Sequence, residues 1–279
     1  MTQHLALRFA ARTDTGKVRA HNEDAIDWNP HGGLAVLADG MGGYNAGEIA
    51  SSMATAVFKS TLEGRLQERG WLRSAPNNRQ LEHLLVEAAE AANEQILAAS
   101  LSQPELSGMG TTLVAALFHP NRLVLAHIGD SRAYRFRQGR LTQLTRDHSQ
   151  LQEQIDAGLV SPEWARFAPN KNLITRALGV GEAIEVDTGV HALERGDLYL
   201  LCSDGLTDML STEQIAELLN QESDLDSTCV DLVNAANYNG GRDNISVILV
   251  RVEALAALPT PRLRERVMTW LKSCMRASH

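Results

Sequence analysis

This chain has little that would carry redox or zinc chemistry. Its three cysteines, Cys202, Cys229 and Cys274, are scattered with no metal or disulfide spacing, which points to a reducing compartment. Nine histidines add no ligand pattern, so zinc is disfavoured. No run approaches ~18 apolar residues, so no membrane span is expected. The N-terminal stretch Met1 to Arg8 has no extended apolar run with a cleavage site, and a cytoplasmic location is the expectation. Basic charge is also short: the net charge of -8 argues against bulk nucleic-acid binding, although bound cations would still let an acidic protein handle phosphates. No fixed-period repeat or low-complexity segment is present, which sets solenoids and propellers aside. With 279 residues and 44% hydrophobic composition, the chain can fill an ordinary core.

What is there is a set of aspartates at strand ends. Leu34–Ala38 runs into Asp39-Gly40, Leu198–Cys202 into Ser203-Asp204-Gly205, and Leu123–Ile128 into Gly129-Asp130, while Asp243-Asn244 opens Ile245–Val250. If neighbouring strands are antiparallel, the end of one and the start of the next share an edge, and the four carboxylates converge. Clustered carboxylates repel unless a cation sits among them, and oxygen-only ligands suit a hard ion such as Mg²⁺ or Mn²⁺.

Periodicity predicts a first strand over 5–12 and strands over 112–118, 122–128, 133–136, 197–202 and 245–252, with Asn121 and Gln138-Gly139 as hairpin punctuation. Helical spacing spans 46 to about 70, 81–101, 212–219 and 227–236. Strands grouped around paired helices predict an α+β fold with largely antiparallel sheets. Residues 149–157 suit a short helix ended by Gly158, and Ser161-Pro162-Glu163 a second helix start. This irregular region is either a surface excursion or a lid beside the site. Residues 254–261 read as a linker, and 262–279 as a basic amphipathic helix bearing Trp270. That helix either covers its own domain or docks on a partner or membrane surface.

Singly these elements are weak, since Asp-Gly after a strand is usually a turn. Jointly, Gly16–Asp24, Leu37–Gly43, Met109–Thr112, Ile128–Arg132, Leu173–Gly179, Ser203–Asp208 and Gly241–Ser246 are a specific ordered set covering roughly residues 5 to 252. In these motifs the chain resembles the PPM family of metal-dependent serine/threonine phosphatases, the protein phosphatase 2C type. Met41 in Asp39-Gly-Met-Gly-Gly43 is similar to the bacterial branch, where eukaryotic members usually carry histidine.

The resemblance implies a four-layer α-β-β-α sandwich: a catalytic domain over 1–253 with a flap at about 148–172. It also implies site roles. Asp39 bridges two Mn²⁺ or Mg²⁺ ions and Gly40 offers its carbonyl to the first; Asp204 and Asp243 hold the second; Asp130 with Asp204 forms a third, weaker site. Glu23 and Asp24 support the ions or their waters, and Arg19 binds substrate phosphate. A water held between two cations roughly 3.5–4 Å apart would attack phosphorus in line. The substrates would be proteins phosphorylated on serine or threonine by a partner kinase. For the leaving oxygen's proton, both His148 and a cation-held water are candidates. One departure lies in the flap: bacterial relatives commonly have a histidine where this chain has Ala168. A cysteine phosphatase needs arginine six residues after the nucleophile, whereas Asp208 and Ala235 stand there and Cys274 lies too near the end. The rival metallophosphatase Asn-His-Glu motif is absent. The alternative function is a pseudophosphatase scaffold that keeps the fold without turnover.

Overall fold

The computed structural model describes residues 5–43, 45–68, 76–161, 173–221 and 224–256. Residues 162–163 of the expected helix start, the flap over 162–172, the linker over 257–261 and the helix over 262–279 lie outside the described residues.

Two antiparallel sheets carry the architecture. One has five strands in the order β1 (Ala6–Asp14), β11 (Ile245–Ala254), β10 (Leu198–Cys202), β7 (Arg132–Arg137), β8 (Arg140–Gln143). The other runs β2 (Asp24–Asn29), β3 (Leu34–Met41), β5 (Leu113–His119), β6 (Arg122–Ile128), β9 (Asp187–Ala192), with the short β4 (Gly110–Thr111) also paired to β3. Alternation along the central strands sends side chains to opposite faces, and both faces are buried. Leu37, Val114, Ala116, Tyr199, Leu201 and Val250 fill the space between the sheets. Leu34, Val36, Leu113 and Ala115 face α1 (Ala46–Glu68) and α2 (Asn78–Ser102), and Leu200, Val247 and Leu249 face α6 (Leu225–Tyr238). Helix, sheet, sheet, helix is the expected four-layer order.

Local chemistry explains the elements. Helix α2 starts at a capping box in which Asn77 accepts from the Gln80 N–H and the Gln80 side chain accepts from the Asn77 N–H. The β7–β8 hairpin turns on Gln138 (φ 52°) and Gly139 (φ 76°), both left-handed as a two-residue turn requires. Two strands escape the apolar pattern. β2 reads Asp-Ala-Ile-Asp-Trp-Asn, and β9, an edge strand, reads Asp-Thr-Gly-Val-His-Ala. Each is held by a neighbour rather than by its own hydrophobicity. Helix α3 (Gln150–Asp156) forms where expected, capped by Ser149 accepting from the Gln152 N–H, and Gly158 follows at φ 70°. Among the described residues no helix is long and apolar enough to cross a membrane.

Candidate active site

Antiparallel pairing gathers the predicted carboxylates at one end of the sandwich. Strand β3 runs into that end and β2 leaves it, so Asp24 and Asp39 are direct cross-strand partners. Asp130 follows β6, Asp204 opens the short helix α4 (Asp204–Thr207) after β10, and Asp243 stands two residues before β11.

Hydrogen bonds hold the backbone of this end tightly. The Asp39 N–H donates to Thr112 Oγ1 (3.0 Å), and the Asp39 carbonyl accepts from Thr111 Oγ1 (2.8 Å) and the Thr112 N–H (2.9 Å). The Gly40 N–H donates to the Glu23 carbonyl (3.0 Å), and the Glu23 N–H donates to Asn244 Oδ1 (2.8 Å). Asn244 also reaches the Thr15 and His21 carbonyls, both at 2.9 Å, which ties the loop carrying Arg19 to the start of β11. Glycine is required at two positions here: a Cβ on Gly40 would fall on the Gly47 carbonyl, and one on Gly205 on the Asn244 carbonyl.

Asp24 and Asp130 are buried, Asp39 and Asp204 half-buried, and the carboxylates repel one another. Burial first, then the carboxylates of Asp24, Asp204, Asp130 and Asp243, raises the Asp39 carboxyl well above its ordinary range. Asp204 is raised likewise by burial and by Asp130, Asp208 and Asp243. Burial pushes Asp130 up to about 7, with Asp147 adding to it, and Asp24 up to about 6 despite hydrogen bonds from Ser246 and Ser203. Glu23 is raised by burial, with Arg19 opposing. The buried Glu23 Oε1 and Asp24 Oδ1 have no hydrogen-bond partner. Orphaned acceptors among mutually repelling acids, with only oxygen donors, fit hard divalent cations.

Arg19 lies at the rim, half-exposed, with Nη2 donating to Asp243 Oδ2 at 2.7 Å. A cleft of ≈ 480 Å³ opens beside the acids, lined by Asp130, Asp204, Asp208, Asp147, Arg132 and residues of α3 and α5 (Thr212–Leu219). Arg132 grips Asp147 with Nε and Nη2 at 2.6–3.0 Å.

Asp208 was not expected from the sequence. It lies one helical turn after Asp204 and its charge is felt by both Asp204 and Asp130. The i, i+4 spacing within Ser203–Asp208 is the signal that could have found it. His148 is placed differently from the proton-donor candidate of the sequence. It is 3% exposed, does not line the cleft, and directs its ring at Gly129 and Asp187. A second cluster therefore exists, in which His127, His148 and Asp187 bring ligand-type atoms within 4.8 Å of one another.

An acid cluster of this kind, at one edge of two packed antiparallel sheets, has the donor set of a centre for divalent cations. Residues 15–249 match the family model described as Protein phosphatase 2C. The chain belongs to that family. It is 40% identical over 242 residues to the serine/threonine phosphatase stp of Listeria monocytogenes, covering 86% of this chain and 93% of the relative. Among solved structures, the serine/threonine phosphatase PstP/Ppp of Mycobacterium tuberculosis superposes with a TM-score of 0.81 at 42% identity, covering 90% of this chain and 100% of that one. The PstP catalytic domain in complex with two manganese ions gives 0.78 at 41% identity, with coverage of 90% and 100%.

Proposed function

We propose that this chain hydrolyses phosphoserine and phosphothreonine on proteins, opposing a serine/threonine kinase in a bacterial cytoplasm. The observation that carries the reading is the clustered set Asp24, Asp39, Asp130 and Asp204, each carboxyl raised first by burial, beside Asp243 and Arg19.

Asp39 and the Gly40 carbonyl would hold a first Mn²⁺ or Mg²⁺, and Asp39, Asp204 and Asp243 a second. Asp130 with Asp204 would hold a third, more weakly. Glu23 and Asp24 lie behind them, Asp24 oriented by Ser203 Oγ donating to its Oδ2 at 2.8 Å. When bound, the cations supply positive charge for the phosphoryl oxygens and acidify the attacking water. Arg19 presents a fixed fork of donors that binds the substrate phosphate, and its contact with Asp243 sets where that fork lies. The Thr111 and Thr112 contacts keep the Asp39 backbone from moving as charge builds on phosphorus, so little reorganisation is needed during reaction. Catalysis here is positioning and electrostatics, with no covalent step on the protein.

Phosphate release from a phosphothreonine peptide tests this reading. We expect turnover with Mn²⁺, none after chelation, and none in Asp39→Asn combined with Asp204→Asn; turnover that survives either treatment would refute it. No observation favours the scaffold alternative. The catalytic domain is read as 1–253, and the basic segment over 262–279 as a docking element. Deleting 259–279 while retaining both peptide and phosphoprotein turnover, and location, would remove the docking role.

A further inference from the structure

His148 holds both polar groups of one backbone unit. Its N–H donates to the Gly129 carbonyl at 2.9 Å, and its ring Nδ1 accepts from the Gly129 N–H at 3.2 Å. Gly129 immediately precedes Asp130 and takes φ 103°, where a Cβ would run into Thr112. The turn therefore requires glycine, and His148 satisfies both of its backbone hydrogen-bonding groups.

The same residue joins the chain entering α3 to the chain at 173–175. The His148 carbonyl accepts from the Thr175 N–H (2.9 Å), and the Gln150 N–H donates to the Leu173 carbonyl (2.9 Å). Ser149 and Ile174 form an antiparallel bridge. Residues 148–150, leading into α3, and residues 173–175 are thus paired at His148 and its neighbours.

The ring has a defined proton position. Because Nδ1 accepts from Gly129, the neutral ring carries its proton on Nε2, which lies 3.3 Å from Asp187 Oδ2. His127 stacks on it with centroids 4.7 Å apart and an interplanar angle of 19°. His127 Nε2, 2.9 Å from the Arg146 carbonyl, is itself a donor. The nitrogen that His148 turns toward Asp187 is the protonated one; it lies at ion-pair distance from Asp187 without making a hydrogen bond, and it opposes metal ligation through that atom despite the cluster's density of ligand-type groups.

We infer that His148 is a positioning residue for the Asp130 cation site: it fixes the Gly129–Asp130 turn and ties it to the paired chain at 149–150 and 173–175. This rests on the reading of Asp130 as a cation ligand. Residues that orient metal ligands from behind typically change affinity 10- to 100-fold when replaced, and His148 acts in that sense one residue removed, through the backbone of Gly129.

The test is Mn²⁺ titration of the full chain by calorimetry without substrate, alongside hydrogen exchange at the Gly129 amide in the metal-free protein. His148→Leu removes the acceptor, whereas His148→Asn keeps an oxygen where Nδ1 was. We expect His148→Leu to weaken the weakest binding event about 10- to 100-fold, to leave the tighter events alone and to speed Gly129 exchange. His148→Asn should stay close to wild type in both. If His148→Leu does not fold, His148→Gln, which places no acceptor at the Nδ1 position, should give the same weakening. A folded His148→Leu with unchanged weak binding and unchanged Gly129 protection overturns the role of His148. A wild-type titration lacking the weak event overturns the reading of Asp130 itself, and the inference falls with it.

Discussion

Asp24 and Asp39 face each other directly across the β2–β3 pair, a buried and a half-buried carboxylate where a sheet ordinarily avoids like charges. Ser203 Oγ satisfies one oxygen of Asp24 and leaves the other without a partner. Such an arrangement is costly to the metal-free fold and useful only if cations complete it.

Neutralising one member should therefore separate stability from activity. Asp39→Asn removes a charge that Asp24, Asp204, Asp130 and Asp243 all oppose. Metal-free Asp39→Asn is expected to melt at a higher temperature than metal-free wild type, while phosphatase activity with Mn²⁺ falls by about 10²-fold or more. Differential scanning calorimetry with chelator, and peptide turnover with Mn²⁺, measure the two. A variant that loses stability in chelator would contradict the repulsion.

The pH dependence of the metal-free protein follows from the same groups. Asp24 titrates at about 6 and Asp130 at about 7 in the fold, both raised from 3.8 by burial. Between ~4 and ~7 the native state thus binds more protons than the unfolded chain, and stability falls as pH rises. The contribution is fully present below ~4 and is lost as pH passes through 6 and 7. With chelator present, Tm should be lower at about pH 7.5 than at about pH 5, and the gain from added Mn²⁺ should be larger at the higher pH. Asp130→Asn should flatten the metal-free slope. Equal Mn²⁺ gains at both pH values would count against a carboxylate origin.

Arg19 should act through geometry more than charge. Arg19→Lys keeps a cation near Asp243 but loses the planar fork. The expected result is kcat/KM lower by about 10²-fold on phosphopeptide, with Mn²⁺ affinity little changed. Steady-state kinetics with parallel calorimetry distinguishes this from loss of metal; an equal fall in metal binding would make Arg19 a prop for Asp243 instead.

Thiol reagents should not reach Cys202 or Cys229 under native conditions. Cys202 is fully buried two residues before Asp204, and burial pushes its thiol up to about 12; Cys229 is likewise pushed up to about 12. Neither offers a thiolate near neutral pH. Iodoacetamide treatment followed by a Mn²⁺-dependent assay is expected to retain full activity, and inactivation tracking modification of Cys202 would reverse this.

The strand-end aspartates were legible because short apolar runs stop abruptly at Asp39, Asp130 and Asp204, and the antiparallel pairing that joins them follows from hairpin signals at Asn121 and Gln138-Gly139. The expected strand over 122–128 and helix over 212–219 match the folded elements residue for residue. Strands β2 and β9 were not legible, since their pattern is polar and their place is set by the β3 and β6 edges they pair with. Asp208 escaped notice because its meaning depends on the helical turn that α4 makes after Asp204. His148 was visible only as a histidine near a motif; its partner Gly129 is local in space and distant in sequence.

Gly205 offers a test of how tightly the edge is built. A Cβ there would fall on the Asn244 carbonyl, and Asn244 in turn holds Glu23 and the loop carrying Arg19. Gly205→Ala cannot be relieved by a flexible side chain, because the obstacle is backbone at the start of β11. We expect a loss of about 1–3 kcal/mol in stability from overpacking. Because the displaced Asn244 carries Glu23 and its neighbour Asp243 with it, Mn²⁺ affinity should fall as well. Gly64→Ala, on α1 with nothing within 4 Å of the added methyl, is the matched control and should be neutral or slightly stabilising. Chemical denaturation and Mn²⁺ calorimetry on the two variants decide the point: equal behaviour would mean that the site edge yields to a methyl group, and that the acids are held by the cations rather than by the fold.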